Sequence, residues 1–264
     1  PSSTSHHLPF RQTTIFNVHK LPSLTSSNHH LYSRQTNILS YSEGMNQSAY
    51  LPRIVDHELD SALRSSGAVL IEGPRACGKT ATALNASTSS VRLDVDLNAQ
   101  RLALLAPQNL LEGAPPRLID EWQLAPQLWN HVRHAVDASG TPGQYILTGS
   151  AVPADDATRH AGAGRFRRLR MRPMSLYESG HSSGTVSLSE LLGGKIQAVS
   201  GSGALDVPQL INRAVIGGWP AFQRLDPESA SDQLSSYLED IARVDLTQLE
   251  GTPKRNPARI MRLF

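Results

Sequence analysis

Gly73-Pro74-Arg75-Ala76-Cys77-Gly78-Lys79-Thr80 reads G-x-x-x-x-G-K-T, the pattern of a phosphate-binding loop. Working outward, Ala68-Val69-Leu70-Ile71 is a short apolar run of the kind a buried strand needs, and residues 80–85 can continue as a helix. Strand, glycine loop and helix is the context this pattern requires. Gly73 and Gly78 let the backbone fold back with its N–H groups turned inward. Those groups, with the positive end of the new helix, attract phosphate oxygens. Lys79 is then placed for the β- and γ-phosphates and the Thr80 hydroxyl for Mg2+, so the eight residues together are candidate nucleotide contacts.

The chain around the loop has 264 residues, enough for one large domain or somewhat more. Its net charge of +2 forces no nucleic-acid partner. Cys77 is the single cysteine, so no internal disulfide forms, which suits a reducing compartment. No apolar run approaches the roughly 20 residues of a membrane-spanning helix. The expectation is a cytoplasmic protein without a membrane partner.

Residues 1–44 differ from the rest. They are dense in Ser, Thr and His, with His6-His7 and His29-His30, and show no sustained period of 3.6 or 2. Three of the 25 basic residues and one of the 23 acidic residues, Glu43, fall there, which leaves the remainder neutral. The first methionine is Met45, and the globular pattern starts just after it. The segment reads as a disordered or non-native leader. Arg11, Lys20 and Arg34 are thin support for a transit peptide instead.

From Arg53 the period turns helical, with Ile54, Val55, Leu59, Ala62 and Leu63 on one face and Gly67 as the stop. After the loop the pattern predicts a strand over 91–95, a helix over 99–105 and a turn over 107–111. Arg117-Leu118-Ile119-Asp120-Glu121 is a strand ending in two carboxylates. A helix bearing Leu128, Val132, Ala135 and Val136 follows, closed by Gly140, and then a strand over 144–148. A helix near 154–160 and a strand near 166–171 complete the alternation, which predicts an α/β fold with a parallel sheet and crossover helices. Residues 179–206, rich in Gly and Ser, read as a flexible connection around a short helix at 187–192. Two further helical patterns, at Leu210, Ile211, Ala214 and Val215 and at Leu234, Tyr237, Leu238, Ile241 and Val244, are separated by Gly217-Gly218-Trp219-Pro220.

Asp120 and Glu121 close a strand some forty residues after the loop. Asp120 can hold Mg2+ beside Thr80, and Glu121 can polarise the water that attacks a γ-phosphate. A surface acidic pair is the bland alternative. Thr148-Gly149-Ser150 ends the next strand, where ligands of open parallel sheets sit, and can orient water or touch phosphate; ordinary turn chemistry has the same composition. Arg165, Arg167, Arg168, Arg170 and Arg172 crowd one strand, as a solvated edge, a nucleic-acid surface, or an arginine completing a neighbour's site. Cys77, near a helix N-terminus, has a lowered thiol pKa in this reading and some reactivity.

The motifs over 73–80, 117–123 and 145–150 together resemble an AAA+-type P-loop ATPase core that precedes a C-terminal domain of unknown function in bacteria and archaea. Leu51-Pro52-Arg53, Gly164-Arg165, Pro173-Met174-Ser175-Leu176 and Gly217-Gly218-Trp219-Pro220 extend the likeness over about residues 49–250. The resemblance implies a P-loop NTPase parallel sheet of order 5-1-4-3-2 flanked by helices, followed by a partial helical C-terminal region. It implies ATP and Mg2+ as ligands. Gly73, Gly78, Lys79 and Thr80 contact phosphate, Thr80 and Asp120 serve the metal, and Glu121 is catalytic with Lys79. Ser150 or Thr148 takes the sensor position. Arg165, with Arg159 second, is the arginine a homo-oligomer would supply to a neighbour. The domains expected are a leader at 1–44, an ATPase core at 45–178, the connection at 179–206, and a C-terminal helical domain cut short at 207–264. The function expected is Mg-ATP binding with hydrolysis. The alternatives are a nucleotide-gated module that binds DNA or protein through its C-terminal region, and a P-loop kinase.

Overall fold

The structure, a computed structural model, describes residues 50–149, 162–194 and 205–241. The expected leader, the helix near 154–160, Ser150, Arg159 and the basic end of the chain lie outside the described residues. Among the described residues no helix is long and apolar enough to cross a membrane.

The chain runs α1 (Ile54–Ser65), β1 (Ala68–Glu72), α2 (Lys79–Ala86), β2 (Ser89–Arg92), α3 (Leu97–Leu105), β3 (Arg117–Asp120), α4 (Leu128–Ser139), β4 (Tyr145–Gly149) and β5 (Phe166–Arg170). The short α5 (Leu188–Leu192) precedes α6 (Val207–Ile216) and α7 (Pro227–Asp240). The five strands form one sheet in the order β2-β3-β4-β1-β5, every pair parallel. That is the order 5-1-4-3-2 implied by the resemblance, and β1 with its glycine loop is an interior strand.

Strand alternation divides the sheet into two faces. Ala68, Leu70, Ile119 and Leu147 pack with Leu128, Trp129, Val132 and Val136 of α4 and the alanines of α3. Val69, Ile71, Leu118, Ile146 and Leu169 pack with Val55, Leu59 and Ala62 of α1 and Ala83 of α2. Each fully buried Leu or Ile here contributes about 1.5–3 kcal/mol of transfer free energy. A third, smaller core of Ile216, Phe222 and Ala230 joins α6 to α7, with Trp219, Leu225 and Leu234 against it.

Several boundaries differ from the sequence expectation. Ile54 is 53 % exposed and is not part of the core face of α1. It is the first helical residue, and its N–H turns outward to the Glu178 carboxylate at 2.9 Å. The second strand ends at Arg92, three residues early, because Asp96 caps α3 by accepting from the N–H groups of Asn98 and Ala99 at 2.9 and 3.1 Å. Val95 is left exposed in the turn while Leu93 still reaches the core. The strand before the acids stops at Asp120, since Glu121 has φ +55° and turns the chain. Arg117 keeps its place in β3 by donating to the Leu110 carbonyl at 2.7 Å and to Ser89 at 3.1 Å. β5 is an edge strand, and Arg167, Arg168 and Arg170 are exposed along it while Leu169 points inward. Leu210, Ile211 and Val215 form part of α6 but remain exposed.

One buried cation ties the loop to the rest. Arg53 is 6 % exposed and donates to the carbonyls of Cys77 and Arg172, each at 2.8 Å, and to the Glu178 carboxylate at 2.9 Å. Glu178 also accepts from the Ser175 N–H at 2.7 Å. Burial alone would raise the Glu178 carboxyl, but bonds from the Ser175 and Ile54 N–H groups and the Arg53 guanidinium outweigh it and hold the group below its ordinary 4.5.

Two consequences can be measured. Arg53→Met leaves Glu178 buried without its cation and is expected to cost about 3–5 kcal/mol in denaturant unfolding. A carboxyl lowered by folding stabilises fully above its ordinary value, and that stabilisation fades as pH falls through the lowered one. The parent should therefore lose thermal stability below about pH 4.5 more steeply than Glu178→Gln, and identical acid slopes would contradict the assignment.

Candidate functional site

The loop between β1 and α2 opens at the carboxyl ends of the strands, level with the ends of β3 and β4. Its backbone needs its glycines for two separate reasons. Gly78 has φ +104°, with the Arg53 guanidinium and Pro220 behind it. Gly73 has no room for a Cβ, which would overlap the Met171 carbonyl oxygen. Ala76 is also left-handed at φ +60°, so two such residues close together wind the loop tightly.

Lys79 is the first residue of α2 and is buried, and its Nζ donates to the carbonyls of Gly73 and Pro74 at 3.0 and 2.9 Å. The side chain thus lies folded back over its own loop. Thr80 Oγ1 donates to Asp120 Oδ1 at 3.0 Å, which brings together two residues forty positions apart. Thr148 donates its hydroxyl to the same oxygen of Asp120. Asp120 is 1 % exposed, and its other oxygen, Oδ2, faces Arg92 Nε at 3.5 Å. Arg92, Asp120 and Thr148 occupy one register row across β2, β3 and β4. The buried carboxylate is therefore compensated by one guanidinium and two hydroxyls. Glu121, the next residue, has a left-handed backbone, and Gln123 Nε2 donates to its Oε2.

Thr148, one of the two sensor candidates, is thus in the cluster, while Ser150 lies outside the described residues. Arg165 is not in it. Its carbonyl accepts from the Ala68 N–H at 3.0 Å, so it stands at the amino end of the sheet, about 15 Å along β1 from the loop. There its guanidinium pairs with Asp137 at 2.7 Å on the surface, and this bond lowers the Asp137 carboxyl.

Sequence reading missed several partners of this site. Arg92 ends a strand in register with Asp120, a signal that appears only once β2 is placed beside β3. Trp219 Nε1 and the Tyr237 hydroxyl both donate to the Arg75 carbonyl, each at 3.2 Å, so the helices after residue 205 touch the loop itself. Gly218 makes this approach possible: its carbonyl accepts from the Met174 N–H at 2.6 Å, and a Cβ on it would overlap the Met174 carbonyl.

The Cys77 expectation is corrected. Its side chain is fully buried among Val69, Ile71 and Met171, away from the loop mouth, and burial pushes the thiol up despite the nearby Lys79. Native protein should consequently react with a thiol reagent such as iodoacetamide far more slowly than urea-unfolded chain at the same pH. Equal rates would show the thiol to be accessible.

A search of curated proteins finds no match. Among solved structures, the chain resembles the Walker-type ATPase PABY2304 of Pyrococcus abyssi at 15 % identity and TM-score 0.43, covering 76 % of this chain and 75 % of that one. It also resembles the FIGL-1 AAA domain in complex with ADP at 15 % identity and TM-score 0.36, covering 79 % and 76 %. Residues 65–180, from the end of α1 to beyond β5, match the family model described as an AAA domain.

Proposed function

We propose that the AAA-type part of the chain binds Mg-ATP in the glycine loop and hydrolyses it. The observation that carries this reading is the 3.0 Å bond from Thr80 to Asp120 beside the loop, with Lys79 folded across it. The donors present suit the metal. Thr80 and Asp120 offer hard oxygens, and among the described residues no group of three or more His, Cys, Asp or Glu could build a complete protein cage. That fits Mg2+, which keeps waters and takes phosphate oxygens to complete its octahedron. When bound, Mg2+ neutralises charge on the β- and γ-phosphates.

The chain's own residues divide the remaining work. Backbone N–H groups of residues 73–78 and the start of α2 receive phosphate oxygens. Lys79 exchanges the Gly73 and Pro74 carbonyls for phosphate. Glu121 accepts hydrogen from the attacking water. Thr148 keeps Asp120 aligned. Arg165 faces away from this loop, so any contact it makes with phosphate is with a neighbouring subunit's nucleotide. The kinase alternative differs in the group that gives its proton to Glu121, a bound acceptor hydroxyl in place of water.

A second reading, a nucleotide-gated module that engages DNA or protein through the C-terminal helices, is favoured by one contact. Trp219 and Tyr237 donate to the loop at Arg75, so a change in loop backbone on filling would be felt by α7.

Two variants test the leading reading. Lys79→Ala should abolish most Mg-ATP binding in calorimetry. Glu121→Gln should bind Mg-ATP like the parent and lose turnover by at least about a hundredfold. Binding by Lys79→Ala at parent affinity would overturn the loop assignment, and loss of binding in Glu121→Gln would overturn the role given to that carboxylate.

A further inference from the structure

We propose that Gln123 is a positioning residue that pins one oxygen of Glu121 and leaves the other for the attacking water, and that Gly149 is the space this amide requires. The proposal rests on the reading of Glu121 given above.

Glu121 and Gln123 belong to one tight turn. Glu121 is left-handed and caps a 3-10 turn over Trp122–Leu124. Trp122 is 1 % exposed and packs 5.2 Å from Trp129, so the residue between the two polar side chains is anchored in the core. The turn sends Glu121 and Gln123 to the same side, and Gln123 Nε2 donates to Glu121 Oε2. Among the described residues the Glu121 carboxylate accepts no second hydrogen bond, so its Oε1 keeps its lone pairs. A base that must take a proton in one direction benefits from such a tether, because a free glutamate side chain samples many rotamers.

The other end of the amide shows that the arrangement is not explained by packing. Gln123 Oε1 is buried and has no hydrogen-bond partner. A buried unsatisfied acceptor is unfavourable, and a leucine would fill the same volume without it. The amide orientation follows from the partner: with Nε2 and Oε1 exchanged, a carbonyl oxygen would face the Glu121 carboxylate. Oε1 is accommodated only because residue 149, at the carboxyl end of β4, is glycine. A Cβ there would overlap Gln123 Oε1 and approach Trp122 Cδ1 at 3.3 Å. The sheet thus holds Glu121 indirectly, from β4 through Gln123.

Two substitutions remove the tether from opposite ends. Gln123→Leu deletes the donor, and Gly149→Ala pushes the amide away through the far end of a flexible side chain. Each is expected to lower kcat by about ten- to a hundredfold. KM for ATP, calorimetric affinity for Mg-ATP and thermal midpoint should all stay near the parent's. The double variant should be no slower than the slower single one, since both act on one contact. Parent turnover in either single variant, additive losses in the double, or affinity falling together with kcat would overturn the proposal and leave hydrolysis by this site standing. A parent chain that binds Mg-ATP without hydrolysing it would overturn both the proposal and the hydrolytic reading.

Discussion

Asp120 is a carboxylate with almost no access to water, and the architecture around the site is built on satisfying it. A buried negative charge without compensation is expensive by several kcal/mol. Here the compensation arrives from three other elements at once: the Thr80 hydroxyl from α2, the Thr148 hydroxyl from β4 and the Arg92 guanidinium from β2. This requires that β2, β3 and β4 end at the same level and that α2 start directly over them. The strand order β2-β3-β4-β1-β5 meets that requirement, with the glycine loop emerging one strand away from β4. Fold and site are therefore one arrangement seen at two scales.

A second buried ionic contact does for the outer side of the loop what Asp120 does for the inner side. Arg53 joins the start of α1, the Cys77 carbonyl, the Arg172 carbonyl and Glu178, partners 24 to 125 residues away in sequence. The loop is thus held from behind by a guanidinium and in front by its own lysine. Between these two cations its backbone has little freedom, which suits a receptor that must present N–H groups in a set geometry before any ligand arrives.

Much of this was legible in the sequence, and the rest was hidden for physical reasons. The glycine loop, the helix closed by Gly140 and the Asp120-Glu121 strand end are local patterns, and local patterns survive in a one-dimensional reading. The AAA-type resemblance supplied the strand order, which spacing alone does not encode. Errors arose where a neighbour overrides the local pattern. Ile54 fits the apolar face of α1 by period, yet its position as first helical residue turns it to water. Cys77 sits near a helix N-terminus, but its side chain points into the core, and burial outweighs the helix. Arg92, Gln123 and Trp219 act through contacts that exist only after strands and turns are assembled.

The contact between the loop and the C-terminal helices has an evolutionary side. Trp219 and Tyr237 both address a main-chain carbonyl at position 75. Every amino acid presents that oxygen, so the contact asks for no particular side chain there. A substitution at position 75 would keep this carbonyl, whereas replacing Trp219 or Tyr237 would each remove a donor. Constraint from this contact should accordingly fall on the donors, Trp219 and Tyr237, and not on the side chain at position 75.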